Sequence, residues 1–409
     1  MGAPAARVSE LAQHWSSVGH DVQVLTGFPN HPDGVIPPEY RRHFRRMVYR
    51  EQVERVKVVR SWLLPFPNRK SYERILNYSS FFASAAIIGS FLEQPEVVIA
   101  SSPQLLVGLS GWWIARLKRA RFVLEVRDLW PESLVAVGAG NPNSFLYRAL
   151  SRIAGFLYRK ADHIVVVTPA FREHLIRYSG VPAEKISVVT NGVETQLFAP
   201  RKPDNEIRRV LNAEGKFVAS FIGTLGIAQG LETVISAAEK LQTTHPNILF
   251  AIVGDGAERE RLVNIVTAKN LRNVRFVPQQ RHEKIPDYIA ASDVCLTLLR
   301  KSEVFETVIP TKMLEFMSCA RPVIVGVAGQ AKQIVEQSGA GICIEPETVD
   351  ELCEAILKFQ RDLWLREELG RNGREYIRKN FSREQTASDY LEVLARLTGQ
   401  REKKATAAA

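Results

Sequence analysis

Two stretches of the sequence carry residue types able to hold a nucleoside diphosphate. In the first, Phe217–Ile222 reads as a strand and Gly223-Thr224-Leu-Gly226-Ile-Ala-Gln229-Gly230 as a glycine-rich turn. Leu231, Val234, Ile235, Ala238 and Leu241 then recur at helical spacing. Such a strand, a turn free of Cβ atoms and a helix start present open amides and a positive dipole end, which suit phosphate oxygens. In the second, Pro310-Thr-Lys312-Met-Leu-Glu315 opens a short helix running to about Cys319. Lys312 there can neutralise a diphosphate, and Glu315 can accept two bonds from a ribose 2′,3′-diol, each contributing about 1.5–3 kcal/mol. Taken alone, each stretch has an equally good bland reading, as a tight strand–helix turn or as a helix-start glutamate beside a solvated lysine. The glycine spacing is not Gly-x-Gly-x-x-Gly, which argues against a dinucleotide dehydrogenase.

Two more strand ends bear charged groups. Ile252-Val-Gly254-Asp255-Gly256 has no second carboxylate at Asp-x-Asp spacing, so Asp255 is expected to cap the next helix rather than hold a metal. Glu125-Val-Arg127-Asp128-Leu-Trp130-Pro131-Glu132 follows the candidate strand Phe122–Val126. Strand ends of open α/β sheets border the ligand crevice, so Arg127 and Asp128 are candidates to meet an acceptor or a leaving phosphate. A structural salt bridge is the competing reading. There is no Gly-x-Ser-x-Gly, His-Glu-x-x-His or P-loop pattern, and the eight histidines do not cluster at ligand spacing. No metal site is expected.

The elements that must position these residues form two series. Candidate strands at Val22–Thr26, Val53–Arg60, Val97–Ala100, Phe122–Val126 and His163–Val167 precede a second set. That set is Phe217–Ile222, Ile248–Val253, Val274–Val277, Val294–Leu298, Pro322–Gly326 and Gly341–Ile344. Helical periods lie between them, as in Val8, Leu11, Ala12, Trp15 and Val18 ahead of Gly19. Alternation of this kind predicts two doubly wound α/β domains with parallel sheets. Their boundary is expected near Ala199–Pro203, giving domains 1–199 and 200–379. Ser382 and Gln385 form a capping box for a final helix, 380–398, expected to return to the first domain. The chain opens on a helix, where such a domain normally opens on a strand, so the first strand is expected to be missing.

Composition is that of an ordinary globular protein: 409 residues, 45% hydrophobic and 24% charged. Four cysteines without a Cys-x-x-Cys pair suggest a reducing, cytoplasmic setting. No signal peptide is expected, and the uncharged stretch Val97–Ala115 is broken by Pro103, Gln104 and glycines, so it reads as strand, turn and helix. Residues 1–199 hold 24 Lys and Arg against 16 Asp and Glu, so most of the net +10 lies there. Arg41–Arg74 alone has eleven basic and three acidic residues. Such a run suits phosphates on nucleic acid, an anionic bilayer or a lipid-linked diphosphate, and is also the pattern of a solvated face.

Together these segments resemble the family 4 glycosyltransferases of GT-B architecture, with two facing Rossmann-like domains. The resemblance runs from Arg7-Val-x-Glu-Leu-Ala and Gly19-His-Asp-Val-Gln-Val-Leu-Thr through Ala161-Asp-His-Ile-Val-Val-Val-Thr and Asn191-Gly-Val-Glu to Pro310–Glu315. The Gly226-x-x-Gln229-Gly230-Leu-Glu232 turn and Arg127-Asp128-x-Trp130-Pro131-Glu132 look most like the N-acetyl-L-fucosamine transferase branch of surface-polysaccharide assembly. The resemblance implies retaining transfer, without metal or other cofactor, from a UDP-linked sugar to a glycan or polyprenyl-diphosphate acceptor at the inner membrane face. It places Gly223, Thr224, Gly226, Gln229, Gly254, Val277, Lys312, Met313, Leu314 and Glu315 on the donor. Gly2, Trp130 and Glu132 fall on the acceptor side, with Asp128 and Arg127 catalytic. The wider family has two glutamates with seven residues between them; Glu315 matches the second, while Thr307 stands at the first and Glu306 is one place off. It also has Arg and Lys where Thr224 and Gln229 stand, and often a histidine where Arg127 stands. Two other functions fit less well. A sugar-nucleotide epimerase or hydrolase of the same fold usually needs an acid/base pair that is not identifiable here. A nucleic-acid-binding module would show stacking aromatics on a recognisable motif, and none is present.

Overall fold

The computed structural model describes residues 3–30, 34–67, 71–102, 104–136, 141 and 143–399. Gly2 lies outside them. The chain divides into two compact units, Met1–Thr190 with Thr386–Ala409, and Asn191–Gln385. The division falls ahead of the proline-containing segment at 199–203 because the intervening residues join the second unit: Val193 bridges to Ser382, and Phe198 is fully buried among Cys319, Val323 and Phe381.

In the first unit, β1 (Gln23–Gly27) pairs in parallel with β3 (Val56–Ser61), which pairs antiparallel with β2 (Val48–Val53). The expected strand at Val53–Arg60 is thus a hairpin. Glu54 takes a left-handed conformation (φ 53°) that turns the chain back, and Arg60 bonds Glu51 across the ladder. A separate parallel sheet has the order β4 (Val97–Ser101), β5 (Arg121–Val126), β6 (His163–Val166) and β7 (Ile186–Val188). The stretch 97–115 becomes a strand followed by the helix Leu105–Lys118. The helix Ala3–Ser17 packs on both sheets: Ala12 meets Val56 and Val58, while Leu11 and Trp15 meet Val123 and Val165. The last helix, Arg383–Thr398, starts where Gln385 donates its amide to Ser382 Oγ (3.3 Å). Its buried Tyr390 meets Trp15 edge-on at 5.3 Å, and Trp15 Nε1 donates to the Ala387 carbonyl (3.0 Å).

The second unit holds one parallel sheet in the order β10 (Val274–Val277), β9 (Ile248–Val253), β8 (Phe217–Ile222), β11 (Val294–Leu298), β12 (Val323–Gly326), β13 (Gly341–Cys343). β8, β9 and β11 are buried along their whole length, as strands covered by helices on both faces must be. The chain winds outward through β9 and β10, then returns to place β11 on the other side of β8. The strand order therefore reverses between β8 and β11, the place where open α/β sheets leave a crevice at their carboxyl ends.

Candidate functional site

In the second unit, the glycine-rich turn begins where β8 ends at this crevice. Gly223 donates its amide to the Val253 carbonyl (2.9 Å), and Leu225 donates to the Asp255 carbonyl (2.8 Å), so the turns after β8 and β9 lie flush together. That closeness depends on glycine. A Cβ on Gly254 (φ 143°) would stand 1.9 Å from the Gly223 carbonyl oxygen, and one on Gly256 (φ 156°) 2.4 Å from that of Leu225. Gly254 in turn donates to the Val277 carbonyl (2.9 Å), which ties the end of β10 into the same floor. Asp255 Oδ1 accepts from the Gly256 amide (2.7 Å) and braces its own turn. The following helix starts at Arg259 with Glu258 at its cap position, so Asp255 is not the cap the sequence suggested.

Lys312 reaches this turn from the helix Thr311–Ser318. Its Cδ and Nζ lie 3.4 and 3.8 Å from where a Gly223 Cβ would be, and Nζ stands 3.7 Å from the centre of the Phe221 ring. The residue as a whole keeps some contact with solvent, but its ammonium is enclosed by the lobe. That burial lowers its pKa to about 7, against the opposing pull of Glu315. Glu315 is one helical turn further on, on the same face as Lys312. Glycine turn, cation and carboxylate thus belong to one edge of the lobe.

Other expected donor residues have narrower means of contact. Gln229 Oε1 accepts from the Gly226 amide (3.1 Å), so its side chain closes the turn and occupies that amide. Met313 and Leu314 are fully buried core side chains, which leaves only their backbone to a ligand. Thr224 is exposed on the turn. Thr307 Oγ1 donates to the Val304 carbonyl (2.6 Å), and Glu306 beside it is exposed. Sequence reasoning missed Phe221, and also Arg300, whose amide donates to the Ala228 carbonyl (2.8 Å) and whose side chain packs over Gly230. Arg300 could have been found from its place just past β11, next to β8.

In the first unit, Glu125 is buried near the end of β5. It accepts from Arg7 Nε (3.0 Å) and Ser101 Oγ (2.7 Å), while Arg7 also donates to the Thr190 and Val189 carbonyls. Burial alone would raise the carboxyl's pKa; Arg7, Arg127 and Ser101 outweigh it and hold it below its ordinary value. Burial lowers the pKa of Arg127, partly offset by Glu125, and its amide donates to Ser102 Oγ (3.0 Å). Asp128 is raised by burial against bonds from Ser133, Trp130 and the Leu129 amide. Those bonds make Asp128 the brace of its own turn. Burial raises the pKa of Tyr147 and Tyr158 with Glu132 adding to it, and burial lowers that of His174 with Glu132 opposing, so the Glu132 charge falls among the unit's own helices. Among the described residues no group of three His, Cys, Asp or Glu could hold a metal ion, and no helix is long and apolar enough to cross a membrane.

Comparison with known proteins adds to this geometry. Residues 203–376 match the family model "Glycosyl transferases group 1", and residues 2–192 match "Glycosyl transferase 4-like domain". WcaI of Escherichia coli K12, named as a colanic acid biosynthesis glycosyl transferase, is 24% identical over 396 residues, 93% of each chain. Among solved structures, sucrose-phosphate synthase from Thermosynechococcus elongatus superposes with a TM-score of 0.77 at 21% identity, covering 100% of this chain and 94% of that one. Anabaena HepE in complex with UDP-glucose gives 0.69 at 17% identity, covering 92% and 100%.

Proposed function

Because the chain belongs to the family 4 glycosyltransferases of GT-B fold, we propose that its second unit binds a UDP-linked N-acetylated sugar and that the protein transfers this sugar with retention of configuration. The observation that carries the reading is Lys312 folded against Gly223, with Glu315 one turn on. The helix start at Thr311 favours diphosphate oxygens, Lys312 supplies the counter-charge in place of a metal, and Glu315 takes the ribose diol. The glycine turn, whose Gly223, Leu225 and Gly226 amides are spent within the lobe, lets the diphosphate approach without a Cβ in the way. HepE, of the same fold, has been solved in complex with UDP-glucose, which supports a uridine nucleotide.

The acceptor is a glycan or a polyprenyl-diphosphate-linked sugar of surface-polysaccharide assembly, such as lipopolysaccharide or capsule. The name of WcaI supports that setting, and the N-acetyl-L-fucosamine-type donor rests on the Gly226–Glu232 and Arg127–Glu132 segments. In the transfer, the acceptor hydroxyl attacks the anomeric carbon as the bond to the diphosphate breaks, and a diphosphate oxygen takes the hydroxyl proton. Arg127 supplies positive charge at the end of β5, and Asp128 holds the turn that positions it. The basic first unit points to work at the cytoplasmic face of an anionic membrane.

Thermal-shift measurement with UDP, GDP and ADP tests the reading. UDP is expected to raise the melting temperature, equally with and without EDTA, and Glu315→Ala is expected to abolish the rise without unfolding the protein. A folded protein that no nucleoside diphosphate stabilises overturns it.

A further inference from the structure

The helix Ser71–Ser90 presents an apolar surface where a globular protein normally has a polar one. Tyr72, Leu76, Ser79, Ala83 and Ile87 follow one another at helical spacing and are all exposed, and Phe91 just beyond the helix is 82% exposed. A helix that is apolar toward solvent as well as toward the core is missing a partner. Beside it runs a groove of ≈ 870 Å³ between this helix, the helix Leu105–Lys118 and the helix Phe145–Lys160. Phe82, Ile87, Phe91, Trp113 and Phe156 line it, with Arg152 as its one charged residue.

The groove is built, not a chance dent. Gly89 lets the first two helices touch, since a Cβ there would stand 2.3 Å from Ile114 Cδ1. Trp113 Nε1 donates to Ser90 Oγ (3.3 Å), and the Trp112 and Phe156 rings meet edge-on at 4.9 Å.

Charge says what covers it. The three helices carry seven basic residues, Arg74, Arg116, Lys118, Arg148, Arg152, Arg159 and Lys160, against one acidic residue, Glu73, which is buried. A two-fold dimer through this face would set the basic groups against themselves. An anionic lipid surface complements both parts: acyl chains take the apolar groove, phosphates meet the arginines, and tryptophan suits the interface between them.

We propose that this groove is a membrane-docking site that admits the acyl chains of anionic lipids, with Ile87, Phe91 and Trp113 entering the bilayer and Arg148 and Arg152 meeting its phosphates. The site gives a location to the membrane contact proposed above and rests on that reading. It lies on the first unit and shares no residue with the donor site.

Co-sedimentation of the full chain with phosphatidylglycerol vesicles and with phosphatidylcholine vesicles tests the site, with the UDP thermal shift measured on the same samples. Binding is expected to the anionic vesicles and to weaken with salt. Ile87→Ser with Phe91→Ser should weaken it about tenfold or more, and Arg148→Gln with Arg152→Gln several-fold with a shallower salt dependence. All variants should keep the UDP shift. Absent binding, equal binding to neutral vesicles, or variants that sediment like the wild type would overturn the site while leaving the donor reading intact. So would a wild-type dimer that Ile87→Ser with Phe91→Ser makes monomeric, since a second copy would then be the cover. A lost UDP shift in the wild type would instead count against the donor reading.

Discussion

The Lys312 ammonium rests 3.7 Å from the centre of the Phe221 ring, at the end of the strand that feeds the glycine turn. Burial in the lobe takes the ammonium out of water, and this outweighs the pull of Glu315, so its pKa falls to about 7 even though the ring face itself favours the cation. The positive charge at this site is therefore conditional on pH, and a bound diphosphate would restore it.

Proton uptake follows from that pairing. Free Lys312 titrates near 7, and an adjacent diphosphate raises that value, so between the two values binding takes up a proton and affinity falls as pH rises. At pH 8, calorimetry in buffers of different ionisation heat should detect an uptake of about one proton on UDP binding. Lys312→Met should remove it. The unliganded protein has a folded pKa below the unfolded 10.5, so the unfolded state binds more protons in this range. Lys312's contribution to stability accordingly rises with pH from about 7 towards 10.5, and should vanish from the pH profile of Lys312→Met.

Gly254→Ala should remove the donor site by displacing the Gly223 turn. The added methyl would fall 1.9 Å from a backbone oxygen at φ 143°, and backbone strain alone costs about 1–3 kcal/mol. Loss of the UDP thermal shift together with a lowered melting temperature is expected. Gly215→Ala is the control, because its added methyl meets nothing within 4 Å, so its left-handed φ (+69°) alone costs about 1–2 kcal/mol and the UDP shift should persist.

The Arg7–Glu125 pair predicts sensitivity to acid. The Glu125 carboxyl is held below its ordinary 4.5, so its stabilising effect is complete above that pH and is lost as pH falls through the folded value. Glu125→Gln leaves Arg7 buried without its counter-charge and should cost about 3–5 kcal/mol at pH 7. Hydrogen exchange of the Val123–Val126 amides should report this loss, and the gap from wild type should narrow below pH 4.5.

Removing the aromatic side chain of Tyr390 should cost about 3–5 kcal/mol, as for other buried rings. Urea unfolding of Tyr390→Ala, Trp15→Ala and the double variant should show a coupling of about 0.5–1.5 kcal/mol between the two rings. A coupling of zero would mean that the last helix is held by its other contacts.

Local pattern was enough to read the strands of the second unit. β8, β9 and β11 occupy the residues expected, because a buried parallel strand is a continuous apolar run bounded by polar turns and needs no distant partner to be recognised. β2 and β7 were not legible: β2 is exposed and polar along much of its length, β7 has three residues, and each is a strand only because a neighbour pairs with it. Residue chemistry likewise marked Gly223, Lys312 and Glu315 as able to hold a nucleotide. Only the folded chain decided that Lys312 crosses some ninety residues of sequence to lie against Gly223, that Gln229 is spent on its own turn, and that Asp128 braces rather than stands open. The physical reason is one of range. Propensity and periodicity act over a few bonds, whereas burial, charge pairing and a lowered pKa depend on which groups the sheet order brings within a few ångströms of each other.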